Sequence, residues 1–161
     1  MTAMDIQTYL AKENSRKLGL ALFRISIGIM FMIAAWGKVM AGFGWGDRVI
    51  GFLNAQSNMP DFYRAIVDAV VIPNASFFGF LTAYGELFLA LALIFGVLVR
   101  PAAVLGVFMV ANFMLAKGHA FWVPSNHDSF YIFSLMLLAV TQSGMFLGFD
   151  SWVAKKYPKL V

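Results

Sequence analysis

Four long apolar runs constrain this chain more than any other feature of it. They extend from Leu18 to Ala41, from Phe78 to Val99, from Pro101 to about Ala116, and from Phe130 to Phe149. An α-helix needs about 20 residues to cross a hydrocarbon core about 30 Å thick. Three runs meet that length unaided, and the third reaches it by continuing through Lys117 and His119. Nothing resembles the alternating strands of about ten residues that build a membrane barrel. The reading is an all-α polytopic membrane protein, a four-transmembrane-helix bundle forming a single membrane domain over residues 1–161. Its helices fall at about 18–41, 78–99, 101–120 and 130–149, with an external loop over 42–77.

Composition supports a membrane solvent. Hydrophobic residues make up 61% and charged residues 12%, against about 45–50% and about 25% in soluble domains. A water-soluble fold this small leaves too much surface exposed to hide that apolar area. The first run is also too long for the core of a cleaved leader, and Arg24 interrupts it.

The formal charge is +4, but the basic residues sit between apolar runs, where they set orientation rather than bind nucleic acid. Lys12, Arg16, Lys17, Arg100, Lys155, Lys156 and Lys159 fall on one side; Arg48, Arg64 and Lys117 fall on the other. The excess of basic residues predicts cytoplasmic termini. Trp152 and Tyr157 mark the inner boundary; Trp36, Trp45 and Trp122 mark the outer one. Cysteine is absent, which excludes thiol–disulfide exchange, iron–sulfur clusters, covalent c-type haem and Cys-bound zinc. Only two histidines occur, His119 and His127, both in one loop, so no metal site is expected.

The loop over 42–77 is patterned. Phe62, Ile66, Val67, Val70 and Val71 are expected to share one helical face, with Arg64 and Asp68 as an i,i+4 pair on another. Val49, Ile50, Phe52 and Leu53 suggest a second short amphipathic turn. Such segments lie in the membrane interface. They would fill gaps between helix ends or form a lid over an outward-facing pocket.

Arg24, Lys38 and Glu86 lie within the apolar runs. An ionisable group there costs at least about 2.5–3.5 kcal/mol unless it faces a partner or a cavity. At 100° per residue, Arg24, Gly28, Phe31, Ala35 and Lys38 share one stripe of the first helix. Gly79, Thr82, Ala83, Glu86 and Ala90 share a small, polar face of the second, and the two stripes are expected to meet. Lys38 lies roughly 5 Å and Glu86 roughly 12 Å below the outer end, an offset two side chains can bridge. Arg24 sits roughly 14 Å deeper than Glu86, nearer the inner boundary with Arg100 and Asp150. Asn112, His119, Ser134 and Tyr131 approach from the other two helices. Lys38, Glu86, Asn112, His119 and Ser134 thus form either a structural polar network or a pocket for a polar-headed lipophile or small anion.

These residues carry a resemblance. Arg24 and Gly28 with Phe31, Gly37-Lys38, Glu86 ten residues before Gly96, Arg100-Pro101-Ala102-Ala103 and the closing Gly148-Phe149-Asp150 resemble the DoxX family of small four-helix membrane proteins. The likeness runs from about Leu18 to Trp152. The family often closes with a Pro-Gly and a Ser-Leu-Asp where this chain has Ser143-Gly144 and Gly148-Phe149-Asp150. The resemblance implies a bacterial inner-membrane protein associated with quinone-linked redox complexes, including the thiosulfate:quinone oxidoreductases. On that basis Lys38 would supply positive charge, Glu86 would hold it or relay protons, and Asn112 or His119 would contact a carbonyl of a bound quinone. The expected partners are lipid and other subunits of a membrane complex, with no covalent cofactor on this chain. The competing expectation is a structural or assembly subunit without turnover.

Overall fold

The computed structural model describes residues 3–40, 42, 45–122 and 126–158; Ala41 and Lys159 lie outside them. Among these residues there is no strand. An unbroken stretch without an interior proline forms α1, Ala3–Met40, about 57 Å long at 1.5 Å per residue. That exceeds a bilayer, and the charged turns before Leu18 form its exposed beginning. Three more helices complete the bundle: α4 (Ala75–Phe95), α5 (Val99–Lys117) and α6 (His127–Val140). The short α2 (Trp45–Asn54) and α3 (Asp61–Ile66) precede α4, and α7 (Asp150–Lys156) closes the chain. Three apolar stretches are long enough to span, Tyr9–Met40, Asp61–Phe95 and Val99–Lys117, with α6 as a shorter apolar fourth.

The helix limits move for local reasons. The second span begins at Ala75 and stops at Phe95, not Val99, because Gly96 turns left-handed at φ 64°, a conformation glycine adopts without a Cβ clash. The third therefore starts at Val99, with Pro101 in its first turn, where no intrahelical donor is needed. It ends at Lys117 rather than residue 120, because Gly118 takes φ 65° and the backbone of Asn58 lies against it. The fourth helix differs most. It begins at His127, with the Asn126 side chain accepting the Asp128 N–H at 3.0 Å, and ends at Val140 instead of Phe149. Residues 141–149 instead form irregular chain around a short 3-10 turn, Ser143–Met145.

Small residues set the packing. Gly28 of α1 lies so close to Leu93 and Ile94 of α4 that an added methyl would meet them at 2.9–3.0 Å. Gly106 of α5 meets Leu89 and Leu135 in the same way. Around these contacts Ile27, Leu89, Leu93, Val110 and Leu138 form the core. Outward side chains such as Ile33, Phe88, Phe108 and Phe133 are large, apolar and exposed; lipid surrounds this surface.

The segment before α4 has a small core of its own, in which Leu53, Met59 and Val67 pack on Ala116 of α5. The expected single apolar face does not persist. At 100° per residue Phe62, Ile66 and Val70 fall within one arc of about 80° and Tyr63, Val67 and Val71 within the next; Val67 is buried while Phe62, Ile66 and Val70 point outward, and residues 67–71 are π-helical. Arg64 does not pair with Asp68. Its guanidinium donates to the carbonyls of Leu53 at 3.2 Å and Gln56 at 2.6 Å, tying α3 to the end of α2.

Candidate functional site

The Gly28–Ile94 contact fixes α1 and α4 in an antiparallel register. Ten residues further along α1 stands Lys38, and eight residues back along α4 stands Glu86. Their side chains form an ion pair, with the Lys38 ammonium donating to both carboxylate oxygens. The Glu86 side chain is 4% exposed and that of Lys38 41%. A buried anion thus holds a half-open cation from below. The Trp45 indole donates to the Lys38 carbonyl at 3.0 Å, closing an otherwise orphaned acceptor at the end of α1.

A second pair completes the arrangement. Lys117, in the last turn of α5, donates to both carboxylate oxygens of Asp128 at 2.8 and 2.9 Å. Its positive charge also acts on Glu86. Four charges from four helices, α1, α4, α5 and α6, therefore balance at one end of the bundle. Between them, the Phe113 ring centroid lies 5.9 Å from Lys38 Nζ. The neighbouring Asn112 accepts a hydrogen bond from the Tyr63 hydroxyl at 2.9 Å and donates to the Phe108 carbonyl at 2.7 Å.

Asn112 accordingly meets the segment before α4 rather than the ion pair. His119 lies beyond the end of α5 and is exposed. Ser134 is buried on α6 but makes no hydrogen bond with Lys38 or Glu86. Tyr63, Lys117 and Asp128 are additions to the expected set. The Asn126-His127-Asp128 start of α6 is a helix-capping pattern that could have drawn attention to Asp128; Tyr63 left no comparable sign.

The opposite end holds a different arrangement. Arg24 is 0% exposed and donates to the carbonyls of Ser143 at 2.6 Å, Leu147 at 2.8 Å and Phe146 at 3.5 Å. Buried Asp150 acts on it electrostatically and accepts the backbone N–H of Leu98 at 2.6 Å and of Val99 at 3.2 Å. Those bonds cap α5 and hold Leu98 at φ 52°, a strained angle for a residue with a branched side chain. Arg100 is half-buried in the first turn of α5. Every described bond of Arg24 is spent on the fold, so this end reads as an anchor.

Chemically, the Lys38 end offers what a polar headgroup needs. The half-exposed Lys38 ammonium lies 5.9 Å from the centre of the Phe113 ring, beside the Trp45 indole that bonds its carbonyl. Such a donor serves a carbonyl or oxyanion well, and partial burial strengthens its field. Two surface clefts lie elsewhere, one beside Ile94 and Leu147 and one between Val107 and Met136.

Among known families, DoxX matches residues 19–119. That stretch contains Arg24, Lys38, Glu86, Arg100, Asn112, Lys117 and His119, and leaves Asp128, Ser134 and Asp150 outside. No curated protein and no solved structure matches the chain.

Proposed function

The chain belongs to the DoxX family, and we propose that it is the membrane subunit of a quinone-linked oxidoreductase complex in the bacterial inner membrane. The Lys38–Glu86 end would seat a quinone headgroup or a small sulfur oxyanion. One observation carries this reading: Lys38 is anchored from beneath by a buried carboxylate yet keeps 41% of its side chain exposed. A charge needed only for helix docking gains nothing from that opening. Lys38 would orient a carbonyl or oxyanion, and Glu86 would hold the ammonium in place and accept or return a proton. A bound quinone would supply the two-electron chemistry. With no cysteine and two histidines in the chain, electrons would reach it through a partner subunit. The test is mild extraction of the native complex with mass spectrometry of its quinones and co-purifying chains. Quinone at near-stoichiometric amount supports the reading, and a pure complex without quinone or bound oxyanion refutes it.

A second reading has its own support. Both ion pairs are complete, and neither cleft named above touches them. A structural subunit that assembles a larger complex would look like this, and it would appear in the same experiment as partner chains without ligand.

For orientation we propose cytoplasmic termini, from the distribution of basic residues. Ser15, exposed on the first part of α1, and Ser57, exposed between α2 and α3, are natural reporters. Cysteines introduced at these positions should react oppositely with an impermeant maleimide in intact cells, at 57 and not at 15. Labelling at 15 alone would reverse the topology.

A further inference from the structure

We propose that the end of the bundle carrying the chain termini holds an anionic phospholipid, with part of an acyl chain in the cleft beside Gly148 and the headgroup on Lys155 and Lys156. The cleft measures about 370 Å³ and is lined by Ile94, Phe95, Leu147, Gly148 and Phe149. Its walls are cross-linked. The Phe149 N–H donates to the Phe95 carbonyl at 3.2 Å and the Asp150 N–H to the Gly96 carbonyl at 2.8 Å. The site is therefore preformed. Leu147 stands at φ 50°, a costly angle for leucine, and the bond from Arg24 to its carbonyl holds it there. The side chain consequently projects outward on the cleft rim, 60% exposed.

Charge selects the occupant. At 100° per residue, Phe149, Trp152 and Lys156 fall within an arc of about 60° and continue the cleft along α7. Trp152 is 70% exposed, as suits an aromatic residue at the headgroup level. Lys155 and Lys156 occupy the last turn and are exposed. Neither forms an ion pair among the described residues. The acid of this helix, Asp150, is buried and engaged by the start of α5, so it does not neutralise them. The Lys156 ammonium stands 5.6 Å from the centre of the Tyr157 ring, and an apolar cleft leading to two ammonium groups without a carboxylate partner among the described residues matches acyl chain and phosphate in order, and an anionic headgroup better than a zwitterionic one.

The test uses the full-length protein in detergent with phosphatidylglycerol or phosphatidylcholine of identical acyl chains, reading retained lipid by native mass spectrometry. A lysine at an anionic surface contributes about fivefold in binding, so phosphatidylglycerol should be held tens of times better. Lys155→Gln with Lys156→Gln should erase that preference without altering phosphatidylcholine retention. Phe149→Ser, at an exposed position, should weaken both lipids alike. Equal retention of the two lipids by the unmodified protein would overturn the proposal. An equal loss of preference from Lys12→Gln with Arg16→Gln would also overturn it, by showing general surface attraction instead of a site.

Discussion

Arg24→Leu should lower the stability of the folded protein by about 3–5 kcal/mol, the range typical when one side of a buried ionic contact is removed. The cause is local. Arg24 satisfies the carbonyls of Ser143, Phe146 and Leu147, which lie in chain that has no helical bonds of its own to fall back on. Leucine removes those donors and leaves Asp150 facing no guanidinium. Gly96, Gly144 and Gly148 pack so tightly around Arg24 and Asp150 that even a methyl would collide, so the neighbourhood cannot shift far to compensate. Arg48→Leu is the control, because Arg48 is exposed on α2 and its loss should fall within about 0.5 kcal/mol. Thermal unfolding in detergent compares the two variants. Arg24→Lys should fall between them, since an ammonium keeps the charge without the planar fork that reaches several carbonyls. Equal melting of Arg24→Leu and Arg48→Leu would contradict the anchor.

How much of this was legible in the sequence depends on how local each determinant is. The α1 and α4 stripes could be read because small residues and charges recur at helical spacing, and a buried charge must find a partner. The end of the fourth helix could not. Hydropathy treats residues 141–149 as a continuation of α6, although Thr141, Gln142, Ser143 and Gly144 interrupt the apolar run. What decides their conformation is Arg24, more than a hundred residues earlier in the chain. Lys117 was read as a loop charge that sets orientation, because its partner Asp128 lies across a turn whose geometry no periodicity reveals. The face over residues 62–71 was misread for a different reason. Phe62, Ile66, Val67, Val70 and Val71 span about 180° of an ideal helix, too wide for one face, and only the half that carries Val67 and Val71 meets the small core. The bond between Tyr63 and Asn112 joins the segment before α4 to a spanning helix, and only the packed small core around Ala116 brings the two together.

Lys38→Met alone should destabilise the protein by about 3–5 kcal/mol, because it strands the Glu86 carboxylate in a site where it is almost fully buried. Glu86→Leu alone should cost less, since the half-exposed Lys38 can turn toward water. The double variant, Lys38→Met with Glu86→Leu, should recover most of the loss, as apolar replacement of both members of a buried pair is often neutral or stabilising. Stability therefore separates pairing from its absence, and ligand retention separates the two functional readings. If the pair only docks α1 against α4, the double variant should assemble into its complex with quinone content and quinone-reductase rate unchanged at matched folded protein. If Lys38 orients a quinone carbonyl or an oxyanion, the same well-folded variant should lose both. The Lys117–Asp128 pair provides an internal comparison. Lys117→Met with Asp128→Leu removes charges of the same type from the same end while leaving Lys38 in place, so it should reduce retention far less. Unchanged retention and rate in the Lys38–Glu86 double variant would remove the ligand-site reading and leave the structural subunit standing.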